Sequence, residues 1–329
     1  MLFVFLFSVF SFRSWQLQRF HISGQAQGTT YSITYYAEDS SITKASVDSL
    51  LDRLDQSLSI YKAGSLINRF NESVNGSVID HHLYFVVSKG LEISRQTGGL
   101  FDITIMPLTQ AWGFGTKTGG EAPTKDKIKT LLTCVGSGHL HLQKKFLKKD
   151  KACTMIDVNG IAQGYSVDML AALMEAYGVR NYVVELGGEI RIRGRKEGND
   201  KMKVGIESPL SSERQLGMMQ KVLSIDSGAI TTSGNYRRFY ESEGKKISHL
   251  LDPKTGYSIS NELISVTVFA KDAITADGYD NALMVMGLIK AMKFVESKPG
   301  IAAYFIYRDP EGRVRDSSSQ RFKNLFLIK

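Results

Sequence analysis

Cysteine is scarce in this chain of 329 residues: only Cys134 and Cys153 occur, too few for a disulfide framework or a structural zinc site. No apolar run reaches the ~20 residues that a transmembrane helix requires. Several signatures of common enzyme chemistry are also missing. The sequence holds no GxGxxG between a strand and a helix, no GxxxxGK[ST], no HExxH and no GxSxG. Nicotinamide Rossmann binding, P-loop hydrolysis, zincin proteolysis and α/β-hydrolase chemistry therefore lose support. Internal repeats and low-complexity linkers are lacking, so nothing marks a place to cut the chain. Charge excludes less. Lys and Arg total 41 against 33 Asp and Glu; that moderate surplus suits anionic small molecules or an anionic membrane surface, and alone does not argue for nucleic acid.

With 43% hydrophobic and 22% charged residues, the composition is that of a packed globular protein. The length fits two domains or one elaborate domain. Residues 2–12, LFVFLFSVFSF, form an apolar run closed by Arg13. Its length matches the core of a secretory leader, although no Lys or Arg precedes it, no A-x-A site follows it and no Cys is present for lipid attachment. A buried strand and a leader clipped by a wrong start are the alternatives. Residues 1–19 are thus expected to be a signal or anchor-like segment and 20–329 the functional domain.

The rest of the chain alternates between strand and helix periods. GTTYSITYY (28–36) has a strand pattern. Val47, Leu50, Leu51, Leu54 and Leu58 recur at helical spacing. Further helices are expected over 82–96, 163–176, 275–287 and 289–297. Short strands are expected within 138–156, and others over 181–186, 204–208, 221–226, 247–251 and 263–270. Strands cluster in hairpin-like groups more than in strict β-α-β alternation, which gives an α+β architecture. His139 and His141 would share one strand face, without a third ligand nearby. The lysines at 144, 145, 148, 149 and 151 are expected to solvate a turn, and Trp112 to belong to the core.

Chemistry concentrates in the segment Thr275-Ala276-Asp277-Gly278-Tyr279-Asp280-Asn281. On a helix, Asp277, Asp280 and Asn281 converge on one face. Two carboxylates and an amide oxygen make a hard donor set suited to Mg²⁺. Simple capping is the competing role: Asp277 at the N-cap and Asp280 in the first turn would favour the helix dipole. Four glycine-rich segments accompany this helix: SGQAQGTTY (23–31); TGGLFDIT (97–104), running on through Pro107-Leu108 to WGFG (112–115); DVNGIAQGY (157–165), with ELGGE (185–189) after it; and AITTSGNYR (229–237), followed by SHLLDPKTG (248–256). Gly beside Ser, Thr or Asp lets backbone N–H groups approach phosphate oxygens. Any one of them could be only a tight turn. Four together with an oxygen-rich cation site suit a large phosphorylated ligand.

In this order the segments resemble the ApbE family of FAD:protein FMN transferases, from about Gly24 to Leu325. GGLFDIT…PLTQAWGFG, DVNGIAQGY, ELGGEIRIRG, ITTSGNYR, SHLLDPKTG and TADGYDNALMVMG carry the likeness. The resemblance implies an α+β fold with mixed or antiparallel sheets, flanking helices and FAD in a cleft between two parts of one domain. It implies transfer of FMN from FAD to a Ser or Thr hydroxyl of an acceptor flavoprotein, with release of AMP and a need for Mg²⁺. The acceptor would be a membrane respiratory or electron-transfer subunit, and the location the cell envelope, at the outer face of the cytoplasmic membrane. Nucleic acid is not an expected partner.

Carried over by position, Asp277, Asp280, Asn281 and the carbonyl of Gly160 would hold the metal. Gln27, Tyr61, Leu100, Phe101, Asp102, Asp157, Gln163 and Leu251 would contact FAD, and His249 would assist proton removal. Gln27 departs from a common Met, Gln163 from Lys or Glu, and Asn281 from Thr; the lipid-bearing Cys of many members is missing. A Mg²⁺-dependent FAD pyrophosphatase and a non-catalytic FAD-binding protein are the competing functions.

Overall fold

A computed structural model describes residues 17–116, 122–207, 219–235, 239–242 and 245–325. The apolar leader-like run therefore lies outside the described residues. Among them, no helix is long and apolar enough to cross a membrane.

An eight-stranded sheet forms the centre: β1 (Gln18–Ala26), β2 (Thr29–Ala37), β3 (Asn181–Leu186), β4 (Glu189–Arg193), β5 (Ser227–Gly234), β6 (Leu263–Ala270), β7 (Ala302–Arg308) and β8 (Val314–Ser318). Its spatial order follows the chain and every neighbouring pair is antiparallel. The α+β expectation is met in this form.

Side chains alternate across the sheet, as the period of two requires. Tyr31, Ile33 and Tyr35 of β2, Val266 and Val268 of β6, and Ala303 and Phe305 of β7 enter the larger core. Ile192, Ile230, Tyr304 and Ile306 enter a second core on the opposite face, together with Phe322. The hairpin Met202–Glu207 with Met219–Ile225 covers that second face through Val204, Ile206 and Leu223.

Helices fill the larger face. They are α1 (Lys44–Leu58), α2 (Leu66–Glu72), α3 (His81–Gln96), α4 (Met106–Ala111), α5 (Lys125–Leu132), α6 (Asn159–Ala176), α7 (Ala273–Met286), α8 (Leu288–Ser297) and α9 (Gln320–Lys323), the last beside the second core. Val47, Leu50, Leu51, Leu54 and Leu58 are the buried stripe of α1, whose N-cap is Thr43. The first six helices are all inserted between β2 and β3. Chain between β5 and β6, and between β6 and β7, supplies the remaining parts of the site.

Several local expectations are corrected. The helix read from 163 begins at Asn159, because Gly160 (φ −82°, ψ 16°) kinks its first turn without ending it. Strand within 138–156 is confined to Leu140–Gln143 and Phe146–Lys149. His139 lies in a short 3₁₀ turn, so it does not share a strand face with His141, which instead meets Asp150 at 2.7 Å. Lys149 does not solvate the turn. Only 2% exposed, it donates to the carbonyls of Asn71, Ala152 and Thr154. The two cysteines, too few for a framework, form one disulfide, Cys134–Cys153.

Candidate active site

The site grows from the crossing of α6 and α7. Asp272 is the N-cap of α7, its carboxylate accepting from the N–H of Thr275. Asp277 and Asp280 thus lie beyond the first turn, only 5% and 1% exposed. Capping does not account for them.

Helix α6 can approach α7 because residue 164 is glycine. A Cβ there would fall 2.5 Å from the Ala273 carbonyl oxygen and 2.8 Å from Cβ of Asp277. The N–H of Gly164 donates to Oδ2 of Asp277 at 2.9 Å. From the other side, Asp168 of α6 accepts the N–H groups of Ala273 and Ile274, both at 2.9 Å. Sequence reading missed Asp168. Its signal was present in retrospect: an acid four residues after Gly164 within the otherwise apolar run of α6.

Asn281 closes the cluster. Its amide nitrogen donates to the Gly160 carbonyl at 3.3 Å and to Oδ1 of Asp280 at 3.0 Å, while its oxygen accepts from the Ser233 hydroxyl at 3.4 Å. Gly160 is therefore brought to Asp277, Asp280 and Asn281 from more than one hundred positions away. Burial pushes the Asp277 carboxyl up to about 7. Burial and the neighbouring Asp277 charge push Asp280 well above the usual carboxylate range. Neither carboxylate forms an ion pair among the described residues. No group of three His, Cys, Asp or Glu side chains gathers there either, so the oxygen set rests on two carboxylates plus neutral donors.

The expected FAD-contacting residues other than Leu251 fall near this crossing or on the segments that touch α6. Phe101 is buried, and its ring edge lies beside Gly160, 3.4 Å from where a Cβ would stand. Leu100 precedes it after Gly98 and Gly99, both with φ in the left-handed region (+62° and +81°), a turn that only glycine takes without strain. Asp102 has its carboxylate committed locally. It accepts from the N–H and hydroxyl of Thr104 at 2.9 and 2.6 Å and from the N–H of Ser137 at 2.8 Å. Asp157 accepts from the N–H of Asn159 at 2.9 Å, and burial raises its carboxyl above the usual range.

Tyr61 is 60% exposed, which rules out core packing; its hydroxyl accepts from the Asn159 amide at 3.4 Å. Gln163 follows about one turn later on α6, its amide beside Gly187. Gln27 sits in the β1–β2 turn with φ +53° and donates to the Ser166 hydroxyl of α6 at 2.9 Å.

His249 and Leu251 arrive on a separate unit. The turn after His249 is held by the N–H of Asp252 donating to the Tyr257 carbonyl and that of Gly256 to the Asp252 carbonyl, both at 2.8 Å. Trp112 is buried, as expected, and its indole N–H donates to the Gly256 carbonyl at 2.8 Å. Leu251 packs in one small core with Leu108, Trp112 and Ile128. The His249 ring meets Phe114 edge-on, with centroids 6.3 Å apart. Tyr236 and Arg237, at the end of the fourth glycine-rich segment, lie outside the described residues.

Comparison with known proteins gives a consistent result. A family model described as the ApbE family matches residues 27–305. A protein of Vibrio cholerae named FAD:protein FMN transferase is 33% identical over 319 residues, covering 95% of this chain and 94% of its own length. The crystal structure of the Pseudomonas stutzeri flavinyl transferase ApbE in its apo form superposes with a TM-score of 0.85 at 34% identity, covering 95% of this chain and 98% of that one. The flavin transferase ApbE of Vibrio cholerae gives 0.83 at 31% identity, with 94% and 100% covered.

Proposed function

Because this chain belongs to the ApbE family, we propose that it is a flavin transferase, moving FMN from FAD to a Ser or Thr hydroxyl of an acceptor flavoprotein with release of AMP. The observation that carries the reading is the α6–α7 crossing, which buries Asp277 and Asp280 beside the Gly160 carbonyl with no cationic side chain among the described residues to pair them. Two adjacent buried carboxylates are costly unless a positive charge joins them.

The donor set fits Mg²⁺. Asp277, Asp280, the Gly160 carbonyl and Asn281 are all oxygen ligands of the kind a hard cation takes. Asn281 now turns its amide N–H toward Gly160 and Asp280, and half a turn of that amide would present its oxygen instead. When bound, Mg²⁺ would offset charge on the pyrophosphate and on the AMP leaving group.

In this reading the remaining residues position and exchange a proton. Tyr61 offers an exposed ring against the flavin or adenine. The Leu100–Asp102 backbone, Asp157, Gln163, Gln27 and Leu251 line the ligand. His249 accepts the proton of the acceptor hydroxyl as its oxygen bonds to the FMN phosphorus; the bond from that phosphorus to the bridging oxygen breaks, and AMP departs with the electron pair. The catalytic domain spans 20–329, and residues 1–19 deliver it to the outer face of the cytoplasmic membrane, where a membrane-associated respiratory subunit is the acceptor.

Intact mass tests the reading directly. Purified protein with FAD, Mg²⁺ and a flavin-acceptor domain should add one FMN to the acceptor and release AMP. Free FMN and AMP with an unmodified acceptor would establish the pyrophosphatase instead. FAD bound but never cleaved would overturn both.

A further inference from the structure

The turn that presents Tyr61 borders a second concavity. Arg53 of α1, Lys62 of that turn, Arg69 of α2 and His81 at the start of α3 line a cavity of about 460 Å³. Its one lining carboxylate, Asp80, is already engaged: Oδ1 accepts the Ser57 hydroxyl at 2.7 Å and the N–H of Leu83 at 2.8 Å. Lys62 is paired with Asp52. Arg53 and Arg69 form no ion pair among the described residues. Arg53 donates to the Ser49 hydroxyl at 2.9 Å and Arg69 to the Gly64 carbonyl at 3.0 Å. Each guanidinium carries five N–H donors in a planar fork, so most of that capacity faces solvent.

Helix α3 opens on His81-His82 after Asp80, whose carboxylate caps its first turn. Two contacts fix the cavity against α6. Asn159 donates to the Tyr61 hydroxyl at 3.4 Å, and Nδ1 of His82 lies 2.8 Å from the Tyr165 hydroxyl. Through His82, which lines it, and Tyr61, the chain neighbour of its lining residue Lys62, the cavity is tied to Asn159 and Tyr165 of α6.

We propose that this basic cavity is a docking subsite for an acidic segment of the acceptor protein, an inference that rests on the transferase reading. An acceptor hydroxyl must reach the site from solvent, and the residues flanking it must cross the rim beside Tyr61. Carboxylate side chains match the two guanidinium forks in charge and in bidentate geometry. Docking of this kind raises the association rate and sets partner choice.

The test pairs a binding measurement with a kinetic one on the full chain. Fluorescein-labelled hexaglutamate should bind the wild type saturably and lose affinity between about 50 and about 300 mM salt. Arg53→Glu with Arg69→Glu should weaken that binding by about tenfold or more and raise KM for the acceptor, with FAD affinity held within about twofold. Arg53→Ala with Arg69→Ala should fall between, which keeps the test valid if the charge reversal impairs folding. Equal binding of hexaglutamate to all three proteins, or to none, would overturn the proposal. So would a fall in FAD affinity matching the loss of peptide, since the cavity would then serve the cofactor phosphates. Failure of the wild type to flavinylate any acceptor strikes the transferase reading alone, because the peptide measurement needs no turnover.

Discussion

Two carboxylates buried side by side in one helix repel each other and forgo hydration, a cost the fold bears at Asp277 and Asp280 without an ion pair among the described residues. Binding sites commonly trade stability for function in this way. Asp280→Asn should therefore raise the melting temperature of the metal-free protein by about 2 °C or more, while abolishing FMN transfer. A variant that melts lower in EDTA, or that still turns over, would sink this assignment. Asp168 makes a separate prediction. Burial, opposed by two backbone N–H donors and Arg191, leaves its carboxyl at about 6 against the usual 3.8. The folded chain thus holds this proton more tightly than the unfolded chain. The resulting stabilisation is present below about pH 4 and is lost as pH rises through about 6. Denaturant titrations should show wild-type stability, measured relative to Asp168→Asn, falling by up to roughly 3 kcal/mol over that window. A flat difference would refute it. Residue identity made Asp277 a candidate ligand from spacing alone, but spacing could not separate ligand from cap. The structure removes the cap, because a capping side chain sits at the helix end and Asp272 holds that place.

At the level of elements, the site depends on how closely two helices can approach. Gly164 permits the α6–α7 contact, and its N–H meets Asp277 across it. Gly164→Ala places a methyl within 2.5 Å of the Ala273 carbonyl oxygen. The helices must separate, at a cost of about 1–3 kcal/mol. Thermal melting should report that loss, and calorimetry should show weaker Mg²⁺ binding; an alanine variant with unchanged Mg²⁺ affinity would argue against the crossing as the metal cradle. The start of α6 was hidden from sequence reading for a related reason. Asn159 and Gly160 are poor helix formers, and the kink at Gly160 interrupts the regular pattern. That interruption also turns the Gly160 carbonyl toward Asn281 instead of leaving it in a regular ladder. Helix α1, by contrast, was legible throughout, since its five-leucine-and-valine stripe keeps one period and its whole opposite face is polar.

On the scale of the whole molecule, the disulfide Cys134–Cys153 spans 19 residues and ties together two segments that support the site. On one side, the N–H groups of Gly136 and Ser137 donate to Thr104 and Asp102; on the other, Thr154 donates to the Cys134 carbonyl shortly before Asp157. Cys134→Ser with Cys153→Ser should lower stability by about 3 kcal/mol, read as a drop in denaturation midpoint that a reducing agent reproduces in the wild type and does not deepen in the variant. No change on reduction would show that the bond contributes nothing. Such a bond suits an oxidising compartment, in keeping with the envelope location proposed from the N-terminal run. The sequence by itself determined the strand and helix periods, the α+β class, the oxygen-rich character of the Asp277–Asn281 segment and the family, because these reside in local spacing and in ordered motifs. It also supplied only two cysteines, a scarcity that excludes a framework and leaves a single bond open. Tertiary structure alone decided that the two cysteines pair, that Lys149 is buried, that Tyr61 is exposed, and that Gly160 meets Asn281 across 121 positions. Each of these depends on which segments the antiparallel sheet brings side by side, and contacts between distant segments leave no period in the chain to be read.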